Sequence, residues 1–466
     1  MAVPDDGPSR TSTKDAPLLD DRTDPVPGID LARPELHRTI DLHAVFTDLR
    51  RDHPVFWHGP KSHAGFWSVT RHADTVRVYR DTDTFSATHG MTLDTLRPEL
   101  DPGAGMMVEV TDPPEHRRLR RSIGAFFSAG AVSTMAPAID DLVVRLLTDI
   151  RDRDEPVDFV RAVASRIPTH VAGLLLGLPP EDLDWITSRT SQVFLAGADA
   201  SRAATADLRE QAAQANAELL GYFSKLVRAS RRRRSDVRGL VQRLAEGTGD
   251  REGLNTAEVI LNSLNLAIAG TQTTRSSLSN MMLALIQFPD AFQALRKDPT
   301  LVPTAVEEAV RWANPVRHLA RVATRDVELG GARIRAGDPV VVWPFSANRD
   351  EAVFRLPHVF DIRRYPNPHI GFATGTHSCP GSGLARAQMR TTLTRLVELF
   401  ADADLADAPQ LVQSNFLLGY ERLPVRYTAA ASVPRLSAQA TDGDRPGADF
   451  ATRDAPNGSS RTTEGM

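Results

Sequence analysis

The chain has 466 residues, 41% of them hydrophobic, which is enough for one large core or two fused ones. Its 55 basic residues nearly balance 59 acidic ones, and a formal net charge of -4 gives no reason to expect wrapping of nucleic acid. A single cysteine forbids an intrachain disulfide and excludes a four-cysteine zinc or iron–sulfur centre, so the chemistry uses one thiolate or none.

Residues 1–28 are rich in Asp, Pro, Ser and Thr and read as a disordered tail, because they offer little to bury. No basic segment leads into an apolar stretch there, and no run approaches the roughly 20 apolar residues that span a bilayer, so a cytoplasmic protein without a membrane partner is expected. Apolar residues three or four apart predict helices near 42–52, 115–127, 134–151, 157–176 and 204–229, with a strand over 65–70. Arginines 231–234 read as a solvated turn rather than a binding patch.

Asn255 followed by Glu258 forms a capping box, and helical patterning then runs to Phe288, where Pro289 stops it. About 33 residues at 1.5 Å each span roughly 50 Å, so this helix must cross the core. In its middle, from Leu264 to Thr274, small and polar residues interrupt the apolar pattern. That segment either packs closely against a neighbour at Gly270 or passes a flat ligand and opens locally to hold water. A helix near 303–313, a hairpin with Gly330-Gly331 at its turn, a strand over 340–343 and a helix over 383–400 follow. Residues 429–466 read as a second disordered tail, leaving one folded unit over 29–428 that is mainly α with a minor β component.

The lone cysteine, Cys379, lies in a loop with glycines at 371, 375 and 381 and Pro380, directly before the last predicted helix. A cysteine at the positive end of a helix, near unpaired N–H groups, is suited to thiolate chemistry. A buried inert thiol and a hydrolytic nucleophile served by His377 are the competing readings; the second predicts inactivation by alkylating agents.

Phe372, Gly375, His377, Cys379 and Gly381, continued by Leu384-Ala385-Arg386, resemble the haem-binding signature of bacterial cytochromes P450. Three further motifs stand in the family's order: Asp112 to Arg120 with its Pro113-Pro114 pair, Glu308 and Arg311 with Arg364 beyond, and Ala347-Asn348-Arg349-Asp350. The resemblance covers about residues 30 to 428. It implies the P450 fold, with the long helix crossing a haem b (iron protoporphyrin IX) whose iron is held by Cys379. It implies that His116 and Arg120 reach the propionates from one side and Arg321 and His377 from the other, with Ala269 and Phe372 against the ring. Two buried carboxylates call for such directional cations. It places Thr273 on the distal side, steering protons during oxygen activation.

The family usually carries an acid immediately before that threonine, where this chain has Gln272, an amide that does not titrate. Water or a substrate group completes the relay, or the oxidant is peroxide, or the reaction depends less on O–O cleavage, as in ring coupling, cyclisation or nitration. Smaller departures are Ala373, where glycine is commoner, and Gln388, where glutamate is.

The expected enzyme is a monooxygenase of a small or medium organic molecule, in natural-product biosynthesis, probed against a haem-thiolate ligand sensor as the non-enzymatic alternative. Substrate is expected against Met91, Asn262, Asn265, Leu266, Val316, His318 and Leu417, with Arg317 and His318 able to receive a carboxylate. Electrons come from a ferredoxin and its reductase, the former docking on Arg386, Arg390 and the arginines between 117 and 121. A monomer is expected.

Overall fold

The computed structural model describes residues 22–61, 63–153, 155–197, 206–232, 239–247 and 253–430. Most of both expected tails, and the arginines at 233 and 234, lie outside the described residues. Residues 22–28, counted with the first tail, are in contact with the fold. Arg22 donates to Asp338 at 2.7 Å and lies over the Trp57 ring, while Asp24 accepts from Gly59 and Lys61.

Helices dominate, and a mixed five-stranded sheet sits to one side in the order Val55–His58, Phe66–Val69, Pro339–Val342, Leu319–Ala323, Phe85–Ser86. The first pair is antiparallel, Val55 opposite Val69, and Phe66–Val69 runs parallel to Pro339–Val342 with Trp67 opposite Val340. The Gly330-Gly331 hairpin forms as expected, both glycines having positive φ. Residues 157–176 depart from the single helix expected: a short strand Val157–Asp158 and a π-turn Val160–Ala164 precede the helix Arg166–Leu176.

The long helix spans Thr256–Gln287. Its capping box closes, with Asn255 Oδ1 accepting from the Glu258 N–H at 3.0 Å and Glu258 Oε2 accepting from the Asn255 N–H at 2.7 Å. Its two ends belong to different cores. Val259, Leu264, Leu266 and Ala267 join a cluster with Leu219, Phe223 and Val241, whereas Leu278 to Leu285 join another with the helices Ala129–Arg151, Val302–Ala313 and Ser382–Leu399. Between them the helix borders open space. A Cβ built on Gly270 meets nothing within 4 Å, so close packing at that glycine is not why the residue is there. The local opening also does not occur: the helix is continuous, and the Thr271 and Thr273 hydroxyls donate to the carbonyls of Ala267 and Ala269 at 2.9 and 2.7 Å.

Among the described residues, no single helix is long and apolar enough to cross a membrane.

Candidate active site

The gap between the two cores is a cavity of about 610 Å³, bounded by the long helix on one side and the Cys379 loop on the other. The loop's shape follows from its sequence. The Cys379 N–H donates to the Phe372 carbonyl at 2.9 Å, and Gly375 has φ +75°. A Cβ on Gly375 would lie 2.9 Å from the Tyr79 carbonyl oxygen, so glycine is required there for space as well as for conformation. The helix Ser382–Leu399 begins just beyond Gly381.

Burial pushes the Cys379 thiol up, against the N–H groups of Gly381 and Ser382 and the charges of Arg120 and Arg386. The helix end is therefore present as expected, but burial outweighs it, and a cation at the sulfur is what would hold the thiolate. A coordinating thiol is deprotonated by its metal.

The loop is tied to the rest of the fold through Asn348, whose Oδ1 accepts from the Ile370 N–H at 2.8 Å and whose carbonyl accepts from Arg311 at 2.9 Å. Arg311 forks onto Glu308 at 2.7 Å through Nε and Nη2, and Arg364 donates to the same carboxylate at 3.0 Å. The Asp361 N–H and the Asn367 amide also donate to it. Glu308 and Arg311 are 0% exposed, so this is a buried, fully hydrogen-bonded charge cluster.

All seven residues expected to meet the cofactor line the cavity: His116, Arg120, Ala269, Arg321, Phe372, His377 and Cys379. The polar members gather at one edge. The His116 and His377 rings are 4.3 Å apart, and burial, together with the nearby arginines, holds His116 down to about 4 and His377 to about 2. Both His116 nitrogens and His377 Nε2 are buried without a partner. So is the hydroxyl of Tyr79, another cavity residue, beside Arg321, that carries no signal in the sequence. Unpaired donors beside the buried guanidinium of Arg321 and the half-buried one of Arg120 are costly alone and fit a ligand bearing two carboxylates. With a single thiol facing the same space, the donor set fits haem.

On the distal side Thr273 lines the cavity, but Gln272 does not. The Gln272 side chain turns into the protein, where Nε2 donates to Ser191 Oγ at 2.9 Å and Oε1 accepts from Arg275 at 3.3 Å. Of the expected substrate residues, Met91, Asn265, Leu266 and Val316 line the cavity, whereas Asn262, His318 and Leu417 are absent from its wall. Asn262 is used up holding a loop: its amide donates to the carbonyls of Met106 and Glu258 at 2.7 and 2.8 Å, and its oxygen accepts from the Val108 N–H at 3.0 Å. His318 is fully buried, accepts from the Leu93 N–H and contacts the Asn415 carbonyl, and burial holds it neutral at about 3. Leu417 is 2% exposed and bridges to Val316, leaving its neighbour Phe416 to face the cavity. Arg317 is also outside the cavity wall, buried over the Phe345 ring, and so is not positioned to receive a carboxylate there.

Sequence reasoning also missed Glu109, a carboxyl in the cavity wall that hydrogen-bonds with Asn265. Its only sequence signal is an acid in an apolar stretch, three residues before Asp112.

The cytochrome P450 family profile matches residues 200–418. Cytochrome P450 NovI of Streptomyces niveus is 37% identical over 402 residues, covering 86% of this chain and 96% of that protein. Nocardicin C N-oxygenase of Nocardia uniformis subsp. tsuyamanensis is 34% identical over 396 residues, 83% of this chain and 96% of that one. The solved structure of P450 OxyD, involved in the biosynthesis of vancomycin-type antibiotics, superposes with a TM-score of 0.77 at 34% identity, covering 86% of this chain and all of its own. With Cys379, the propionate-suited edge and Thr273 around one cavity, this chain belongs to the cytochrome P450 family and is a haem-thiolate oxidoreductase.

Proposed function

We propose that this enzyme is a monooxygenase that oxidises a small or medium organic molecule in natural-product biosynthesis, using dioxygen and electrons from a ferredoxin and ferredoxin reductase in the cytoplasm. The observation that carries the reading is that Cys379 and Thr273 line the same cavity, one on the loop and one on the long helix. The biosynthetic role rests on likeness to OxyD.

In the holoenzyme Cys379 would hold the iron of haem b, with Tyr79, His116, Arg120, Arg321 and His377 meeting the propionates. The bound haem supplies the activation of dioxygen, and a thiolate ligand favours O–O cleavage. The protein's own part is to position substrate and deliver protons. The Thr273 hydroxyl, now donating to the Ala269 carbonyl, can turn its proton into the cavity while the helix backbone remains closed. Gln272 acts through Ser191 and Arg275 as a positioning residue and moves no proton. Protons then reach Thr273 by water or from the substrate itself.

The docking face for the ferredoxin is narrower than the sequence suggests. Arg386 is held bidentate by Glu307 at 2.7 and 2.8 Å and stacks over Phe372, and Arg118 is paired with Glu115 and Glu258. Arg117, Arg121 and Arg390 are exposed and form the basic footprint we assign to it.

The test is turnover of a substrate panel, once with dioxygen and a ferredoxin reducing system and once with hydrogen peroxide alone, read by mass spectrometry. Product gaining one oxygen atom only with the reducing system supports the proposal. Product with peroxide alone contradicts the proposed electron route, and a stable reduced complex without product would favour a ligand sensor.

A further inference from the structure

The cavity wall is unevenly charged. Its cationic side chains, Arg120 and Arg321, stand with His116 and His377 at the edge suited to the propionates, and no lysine or other arginine lines it among the described residues. Away from that edge the wall is mostly apolar, with Met91, Leu264, Leu266, Val316 and Phe416, and Glu109 interrupts it.

Glu109 is held in place from several directions. It sits in the short 3-10 turn Val108–Val110, whose first N–H is anchored by Asn262 of the long helix. The Thr111 hydroxyl donates to the Met107 carbonyl at 2.7 Å and accepts from the Gly105 N–H at 2.9 Å, closing the loop on both sides. One helical turn beyond Asn262, Asn265 hydrogen-bonds with the Glu109 carboxyl. A carboxylate has room for about four donors, so this amide leaves most of its capacity open to the cavity. A rigidly braced carboxyl in an apolar wall is costly to keep charged without a counter-ion. Burial accordingly pushes Glu109 up to about 7. The other acidic residue in the wall, Asp94, has His63 beside it at 3.9 Å; among the described residues no cationic side chain pairs with Glu109.

We propose that Glu109, braced by Asn265, is a specificity-determining anchor for substrates that carry an ammonium group remote from the carbon to be oxidised. This names the substrate class of the monooxygenase and rests on that reading of the site. A cation against Glu109 supplies the counter-charge that the protein withholds, and the fixed loop sets how far from Cys379 that cation lies.

The probes are three phenylalkyl ligands of one chain length: 4-phenylbutyl-trimethylammonium, its neutral isostere with carbon in place of nitrogen, and 5-phenylpentanoate. A quaternary ammonium has no lone pair and cannot ligate iron, so binding reports on the wall alone. Affinities for ferric holoenzyme at pH 8 are measured by equilibrium dialysis, with the haem spin state read alongside. In the unaltered enzyme the cation should bind about tenfold more tightly than the neutral isostere, the range of one close charge pair, and the carboxylate more weakly than either. Glu109→Gln should bring cation and isostere within about twofold of each other, while Asp94→Asn keeps the preference. Equal affinities in the unaltered enzyme, or a preference that survives Glu109→Gln and disappears in Asp94→Asn, would overturn the inference. The unaltered enzyme's ranking needs no variant to fold. A chain that takes up no haem would instead sink the monooxygenase reading, so the two failures are distinguishable.

Discussion

Ala373 holds a left-handed backbone, φ +54°, in the loop that presents Cys379. A side chain in that conformation costs about 1–2 kcal/mol, which glycine avoids. Ala373→Gly should therefore stabilise the protein by about 1 kcal/mol, and denaturant unfolding of the haem-loaded enzyme checks it. A loss of stability would mean that the methyl group's packing against the neighbouring apolar cluster outweighs the strain. Gly375→Ala should do the reverse, because it adds a Cβ both to a positive φ and to a contact with the Tyr79 carbonyl. Glu109 makes a pH prediction. Burial raises its carboxyl, Asn265 opposes, and Asp101 adds repulsion, for a value of about 7 against an ordinary 4.5. A carboxyl with a raised folded value costs nothing below the unfolded value and progressively more as pH rises through the folded one. The thermal midpoint of Glu109→Gln relative to the unaltered, ligand-free holoenzyme should climb between pH 4.5 and about 7.5, where an offset independent of pH would contradict the burial of this charge.

At the scale of elements, the Glu308 cluster joins the helix Val302–Ala313 to the Asn348 turn, and through Asn348 to the cysteine loop. Breaking one member leaves two buried guanidinium groups short of their anion, at a cost of about 3–5 kcal/mol. Glu308→Gln is expected to abolish the yield of soluble haem-loaded enzyme, while Arg422→Ala, which removes an exposed pair with Asp407, should leave it unchanged. Absorbance at the haem band per unit of purified protein measures both. The elements that carry these networks were legible in sequence because their chemistry is local: the Asn255 box, the Gly330-Gly331 turn, the glycines around Cys379 and the spacing of Glu308 and Arg311. Short pieces such as Val55–His58, His72–Arg80 and Leu240–Glu246 fell below the length at which periodicity speaks. Side-chain direction was illegible for a different reason. Gln272 is turned by Ser191, and Asn262 by the main chain of Met106 and Val108, partners far away in sequence. Glu109 shows in sequence only as an acid among apolar neighbours, and it is the fold that sets it in a cavity wall.

Across the molecule, the long helix belongs to one core at its start and another at its end, and the active site occupies the break between them. That arrangement gives the cavity rigid walls without filling it. On the outside, the exposed Arg117, Arg121 and Arg390 should make reduction by a ferredoxin fall with ionic strength, since surface charges are screened over about 8 Å at physiological salt. Replacing Arg117 and Arg390 with alanine should slow that reduction without changing ligand affinity, as stopped-flow reduction and equilibrium binding would show.

The proposed chemistry depends on Cys379 supplying the iron's thiolate at the edge of a cavity shared with Thr273. The most direct test is the absorption spectrum of the reduced, CO-treated protein beside that of Cys379→His. The unaltered chain should show the red-shifted band of a haem-thiolate, and the variant an imidazole-type spectrum in its place. A chain that binds no haem, or whose spectrum is unmoved by the substitution, would contradict it.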